Sequence, residues 1–281
     1  MNFGAHAFVW SGEWNSQSAR TVINGAAEAG LDFVEIGLLR PKEFDASETK
    51  QLLDDKGLQA TYSLGLPPDA SLPEHPDEAE AFLKMAIEKV SATGSEMLTG
   101  VIYGTLGELP GRPPNDRDYD VIAKTLSKVA KEAKQHGVRL GIEPVNRYET
   151  FLVNTVEQGV SLVERIGADN VFLHPDTYHM NIEEDSFAEA LRTGGSHVQY
   201  IHLSESHRGT PGHGTVDWDS VFEGLRDISF QGGLVMESFA EINEDIARAT
   251  CMWRDIVKDP ARLVQDGLAF LQSKADAYGL K

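Results

Sequence analysis

The chain has 281 residues, with 44 Asp and Glu against 25 Lys and Arg and a formal charge of −19. A surface of that sign repels phosphate backbones and anionic membranes, so nucleic acid and membrane are not expected partners. No stretch approaches the ~20 apolar residues of a membrane helix, and MNFGAHAFVW at the N-terminus lacks the basic region and apolar run of a signal peptide, so the expected compartment is the cytoplasm.

In chain order, strand-like apolar runs fall at Phe3–Val9, Phe33–Leu38, Ala60–Leu66, Leu98–Tyr103, Leu140–Val145, Val171–His174, Val198–Leu203 and Leu234–Met236. Between them lie segments of helical spacing, such as Ala79, Phe82, Leu83, Ala86, Ile87 and Val90, or Val121, Ile122, Leu126, Val129 and Ala133. Gly30, Gly57, Gly94 and Gly137 each precede a strand, as glycines that stop helices do. Two strand-to-helix loops are long: GTLGELPGRPPN after Tyr103 and ESHRGTPGHGTVDW after Ser204. The segment from Glu241 to Leu271 reads as helix split by Pro260, with the single Cys251 read as a small core residue on it. This alternation, free of linkers, predicts one α/β domain over 1–281, a (β/α)₈ TIM barrel, which typically takes about 250 residues. The doubly wound sheet is disfavoured because no glycine-rich phosphate loop follows the first strand.

Glu143, Asp176, His202 and Glu237 recur at intervals of 33, 26 and 35 residues, each at the end of a strand-like run. That spacing is one βα unit, so the four side chains converge on the carboxyl mouth of a barrel, where such enzymes keep their chemistry. Singly, an acidic residue at a strand end reads as a salt bridge or a cap, and a histidine flanked by Ile201 and Leu203 as a core residue. Four in register read as a metal centre. Three carboxylates and an imidazole without thiol suit Mn²⁺, Mg²⁺ or Co²⁺ better than Zn²⁺.

The segments IEPVNRYET, DTYHMNIEEDSF, HLSESHRG, GTVDW and MESF, with GAHAFVW and SLGL more loosely, resemble the ketose 3-epimerases, the D-tagatose and D-allulose 3-epimerase group of the xylose isomerase-like barrels. The resemblance implies a homodimer or homotetramer, a divalent metal, Mn²⁺ first with Co²⁺ or Mg²⁺ as alternatives, and a small-molecule ketose as substrate. It places Glu143, Asp176, His202 and Glu237 on the metal, His179 and Arg208 on the sugar, and Glu149 with Glu237 as the catalytic pair. Epimerisation at C3 needs the proton next to the C2 carbonyl removed from one face and returned to the other. Two carboxylates flanking an enediolate do this if each lies within roughly 3 Å of the proton's path.

Among the neighbours, Arg147 is expected to pair with a carboxylate, Tyr148 and Tyr178 to pack beside the mouth, and Glu183, Glu184 and Asp185 to precede a helix as favourable charge. Glu205 and His207 are candidates for orienting His202 or Arg208. The chain departs from the family pattern at His174, Pro175 and Ser204. The wall that meets the distal carbons of the sugar is expected from Leu106, Trp14 and the turn around Gly65. D-allulose with D-fructose, D-tagatose with D-sorbose, and L-ribulose with L-xylulose all stay open. Rival readings are an inosose or hydroxypyruvate isomerase or dehydratase on the same barrel, a DNA-repair endonuclease disfavoured by the acidic charge, and a non-catalytic metal and sugar binder.

Overall fold

In the computed structural model, which describes residues 1–280, eight parallel strands form one sheet: β1 Asn2–His6, β2 Phe33–Gly37, β3 Gln59–Gly65, β4 Met97–Val101, β5 Arg139–Ile142, β6 Val171–Leu173, β7 Tyr200–Leu203 and β8 Gly233–Met236. Neighbours follow the order β6-β5-β4-β3-β2-β1-β8-β7. Isolated parallel bridges Leu173↔Val198 and Asp176↔His202 join the last pair and close the barrel. Lys281, where the expected domain ends, lies outside the described residues.

The helices are α1 Ser16–Glu28, α2 Ala46–Lys56, α3 Pro76–Ala92, α4 Asp116–Gln135, α5 Val156–Ile166, α6 Thr177–Glu183, α7 Phe187–Gly194, α8 Trp218–Asp227, α9 Glu244–Thr250 and α10 Pro260–Ala277. Their starts are chemically specified. Asn15 with Ser18, Asn115 with Asp118 and Thr155 with Gln158 form reciprocal capping boxes at α1, α4 and α5. Gly57 and Gly137, at φ 65° and 71°, take the left-handed conformation that ends a helix before the next strand.

Strand alternation splits the side chains into two populations. On β2, Val34 and Ile36 join the main core between sheet and helices, whereas Phe33 joins Phe172, Tyr200 and Val235 in a plug inside the barrel. Glycine makes room for that plug: a Cβ on Gly233 would stand 2.9 Å from the Tyr200 ring, and one on Gly4 would run into the Phe33 ring. Deeper toward the mouth the interior turns polar, with Glu35, His6, His174 and Thr99 all buried.

Several sequence expectations need correction. The first strand stops at His6, where the His6 imidazole accepts from Phe8 N and turns Ala7–Val9 into a 3₁₀ turn. Cys251 is exposed, at φ 55° just past α9, because the chain leaves the helix there instead of burying that face. Glu183 and Glu184 do not cap the next helix. Glu183 receives a bidentate pair from Arg147, and Glu184 Oε1 accepts from Val156 N at the start of α5. Pro260 does divide the C-terminal segment, standing at the first position of α10. Among the described residues, no helix is long and apolar enough to cross a membrane.

Candidate metal centre and active-site cavity

The ends of β5 to β8 deliver the four spaced residues to one point. Glu143 follows β5, Asp176 caps α6, His202 lies within β7 and Glu237 follows β8. His202 Nδ1 is 3.7 Å from Glu143 Oε1, 3.8 Å from Asp176 Oδ2 and 3.4 Å from Glu237 Oε2. Asp176 divides its oxygens between two tasks. Oδ1 accepts from Tyr178 N at 2.7 Å to cap α6, which leaves Oδ2 aimed at the cluster.

Whether this group suits a divalent cation is tested by His202. Its Nε2 lies 2.9 Å from Glu35 Oε2, and a carboxylate only accepts, so the proton sits on Nε2. Nδ1 is buried with no hydrogen bond of acceptable geometry, although three carboxylates surround it. A lone pair in that position, with oxygens a few ångströms off and no thiol, fits a hard or borderline divalent ion. The electrostatics agree. Burial alone would lower the His202 imidazole, yet Glu35 and Glu237 raise it well above its usual range, so the field that favours a proton on Nδ1 equally favours a cation in the proton's place. Burial lifts Glu143 well above the usual carboxylate range, with Glu237 and Asp176 adding to it against His202. The cluster gathers a field that draws positive charge.

Arg208 enters the same cluster from the loop after β7. Nη1 donates to Asp176 Oδ2 at 2.6 Å, to Ser204 Oγ at 3.0 Å and, in a short contact, to Glu237 Oε2. Its guanidinium carbon stacks 3.9 Å from the Tyr178 ring centroid. Burial works against its charge, but Asp176, Glu237 and Glu149 more than offset that and keep it protonated. The same Arg208 charge holds Asp176 well below its ordinary range, although burial pushes the other way. The backbone of Arg208 sits at φ 61°, a costly conformation for a residue with a side chain, held by its N–H on Glu205 O at 2.8 Å. Glu205 shapes this loop rather than orienting His202: its carboxylate accepts from Ser206 N, Gly212 N, Val216 N and Trp218 Nε1. His207 faces a separate cavity beside α10.

Glu149 and His179 share a partner that sequence reasoning missed. Asn146 Nδ2 lies 2.8 Å from both Glu149 Oε1 and His179 Nδ1. Asn146 N also donates to His179 Nδ1 at 3.1 Å, so that nitrogen is an acceptor and the imidazole carries its proton on Nε2. Burial takes His179 down to about 3, which keeps the ring neutral. His179 Nε2 and Arg208 Nη2 lie 3.2 Å apart, beside one another on the cavity that both residues line. Burial pushes Glu149 up to about 7, against a partial offset from Arg208 and from the Asn146 amide.

These groups open on a cavity of about 350 Å³ that Glu143, Glu149, His179, His202, Arg208 and Glu237 all line. Leu106 and Gly65 are on its wall, as expected, and Ile246, Ala249 and Thr250 from α9 add a side the sequence did not suggest. Trp14 is not on that wall. It lines a neighbouring cavity of about 320 Å³, with its indole N–H donating to Thr49 Oγ1 at 3.2 Å. Tyr148 is exposed.

Fold and site together define an enzyme of the xylose isomerase-like TIM barrel class, and the family model of that description matches residues 23–274. Within the class, the chain is 36% identical over 280 residues to an L-ribulose 3-epimerase from Methylomonas sp., with 98% of each chain covered. It is 35% identical over 285 residues to a ketose 3-epimerase from Arthrobacter globiformis, covering 99% of this chain and 98% of that one. A crystal structure of a D-allulose 3-epimerase from Methylomonas sp. in complex with D-allulose matches with a TM-score of 0.94 and 36% identity, covering 98% of this chain and 97% of that one. The chain belongs to the ketose 3-epimerase family, whose members are carbohydrate epimerases of the isomerase class.

Proposed function

We propose that residues 1–281 form one domain that interconverts free ketoses at C3 with a divalent metal, Mn²⁺ first and Co²⁺ or Mg²⁺ as alternatives. The observation that carries the reading is the unpartnered His202 Nδ1 facing Glu143, Asp176 and Glu237 on the cavity that Glu149 also lines. When bound by Glu143, Asp176, His202 and Glu237, the ion supplies Lewis acidity to the substrate's carbonyl and neighbouring hydroxyl oxygens.

The chain's own residues do the rest. Glu149, with a proton affinity matched to neutral pH, takes the C3 proton on one face. Glu237 returns one on the other. Which carboxylate starts as base depends on the epimer that binds, since the reverse reaction retraces the same path. His179 Nε2–H and Arg208 Nη2–H lie beside one another on the cavity, where they stabilise negative charge developing on the substrate oxygens. Asn146 keeps Glu149 and His179 in step by holding both. Leu106 and the α9 residues would face the distal carbons. Candidate pairs are L-ribulose with L-xylulose, D-allulose with D-fructose, and D-tagatose with D-sorbose; the names of the relatives support the first two most directly. A homodimer or homotetramer is proposed from the family, and light scattering that returns a monomer would remove it.

The test is NMR in D₂O with Mn²⁺-loaded protein and D-fructose, D-tagatose and L-ribulose offered separately. The expected result is deuterium at C3 together with the C3 epimer. A metal-loaded protein that exchanges no ketose at C3 but turns over an inosose would overturn the reading.

A further inference from the structure

β2 carries none of the residues assigned to metal or sugar, yet it places a carboxylate under the site. Glu35 is wholly buried in an interior position between Phe33 and Gly37. Its Oε2 accepts from His202 Nε2 at 2.9 Å and from Tyr200 Oη at 2.5 Å. Tyr200 Oη is itself 2.7 Å from Thr61 Oγ1, so its position is fixed from β3. The other oxygen, Oε1, lies 3.6 Å from His6 Nε2. His6 Nδ1 accepts from Phe8 N, so Nε2 carries the His6 proton and donates it to Ser63 Oγ at 3.1 Å, which leaves Glu35 Oε1 buried without a hydrogen bond. The β2 carboxylate is thus held by two donors from β7 beneath the metal cluster, with His6 of β1 beside it and Thr61 of β3 bracing Tyr200.

We propose that Glu35 is a positioning residue for the metal centre: it fixes the His202 tautomer and ring plane so that Nδ1 faces Glu143, Asp176 and Glu237, and Tyr200 fixes Glu35. The proposal rests on the metal-dependent reading above. The physical reason is that an imidazole has two nitrogens and can present its lone pair from either. A buried anion on one of them decides which, and the charge strengthens the other as a donor to a cation. Tyr200 links this layer to stability, since its ring belongs to the apolar plug while its hydroxyl belongs to the carboxylate.

Glu35→Gln keeps the size of the side chain and removes its charge. Calorimetric titration of metal-free protein with Mn²⁺ is expected to show the dissociation constant rising roughly 10- to 100-fold in Glu35→Gln, and by a smaller factor in Tyr200→Phe. The visible spectrum of the Co²⁺ form should change in Glu35→Gln, and saturating Mn²⁺ should restore most of its kcat because no group on the sugar has been altered. Wild-type metal affinity and an unchanged Co²⁺ spectrum in Glu35→Gln would overturn the proposal and leave the epimerase reading standing. Wild-type protein that takes up neither ion would overturn the metal-dependent reading itself, and this proposal with it.

Discussion

The two ends of the barrel interior are equally buried and differently built. At one end Phe33, Phe172, Tyr200 and Val235 fill the space with rings and methyls, and glycines on neighbouring strands give way to them. At the other, Glu143, Asp176, His202, Glu237, Arg208 and Glu149 put six buried ionisable groups around the floor of the cavity. The plug gains from removing apolar area from water. The mouth works against the desolvation of its charges and is held by mutual pairing and by the β-strand ends that present it. A barrel can carry such a cluster because the structural work is done elsewhere, in the plug and in the core between sheet and helices.

If that division holds, changes at the mouth act on chemistry and changes at the plug act on stability. The largest effect is expected from Glu149→Gln, which should slow C3 proton exchange by roughly 10²- to 10⁴-fold while Mn²⁺ binding by calorimetry stays near wild type. Retained exchange would remove Glu149 from the proton path; loss of metal would make it part of the ion's site instead. Phe172→Ala is the complementary break. Removing a fully buried ring should cost about 3–5 kcal/mol in denaturant unfolding, and the surviving folded protein should bind Mn²⁺ much as before.

The same Glu149 sharpens the comparison through pH. Its folded-state value, about 7, lies above its ordinary 4.5, so the folded protein keeps a proton that the unfolded chain gives up. The stability this contributes is complete below about 4.5 and is lost as pH rises through about 7. Glu149→Gln should therefore match wild type in stability near pH 4 and exceed it at pH 8, by about 3 kcal/mol. Epimerisation in the direction that uses Glu149 as base should rise as pH passes through about 7. A flat stability difference between the two proteins would show that the carboxylate is not desolvated as its burial implies. The smallest effect is expected far from either end: breaking the exposed Lys50–Asp54 pair on α2, at 2.7 Å, should change stability by about 0.3–0.5 kcal/mol, and salt should erase it.

Much of the architecture could be read from the chain because its signals are local. Apolar runs, helical spacing and the glycines at 30, 57, 94 and 137 each report on a few neighbouring residues, and strict alternation leaves a barrel as the natural closure at this length. The spaced acids and histidine were legible for a related reason: parallel strands repeat at the period of one βα unit, so residues at strand ends share a mouth. Strand boundaries slipped where a side chain turned the backbone, as at His6, and the fate of Cys251 was misjudged because helical spacing alone does not say which face is covered.

What the sequence determined, then, is the set of strands and the residues that stand at their ends. The tertiary structure decided what surrounds them. Glu35 and His202 are separated by 167 positions, and nothing near Glu35 in the chain marks it as more than an acid in an apolar strand. That Asn146 joins Glu149 to His179, that Arg208 reaches back through a left-handed turn, and that α9 walls the cavity all depend on contacts between segments distant in sequence. Burial and electric field are sums over such contacts. The proton affinity of Glu149 and the direction in which His202 presents its lone pair therefore exist only once the barrel has closed.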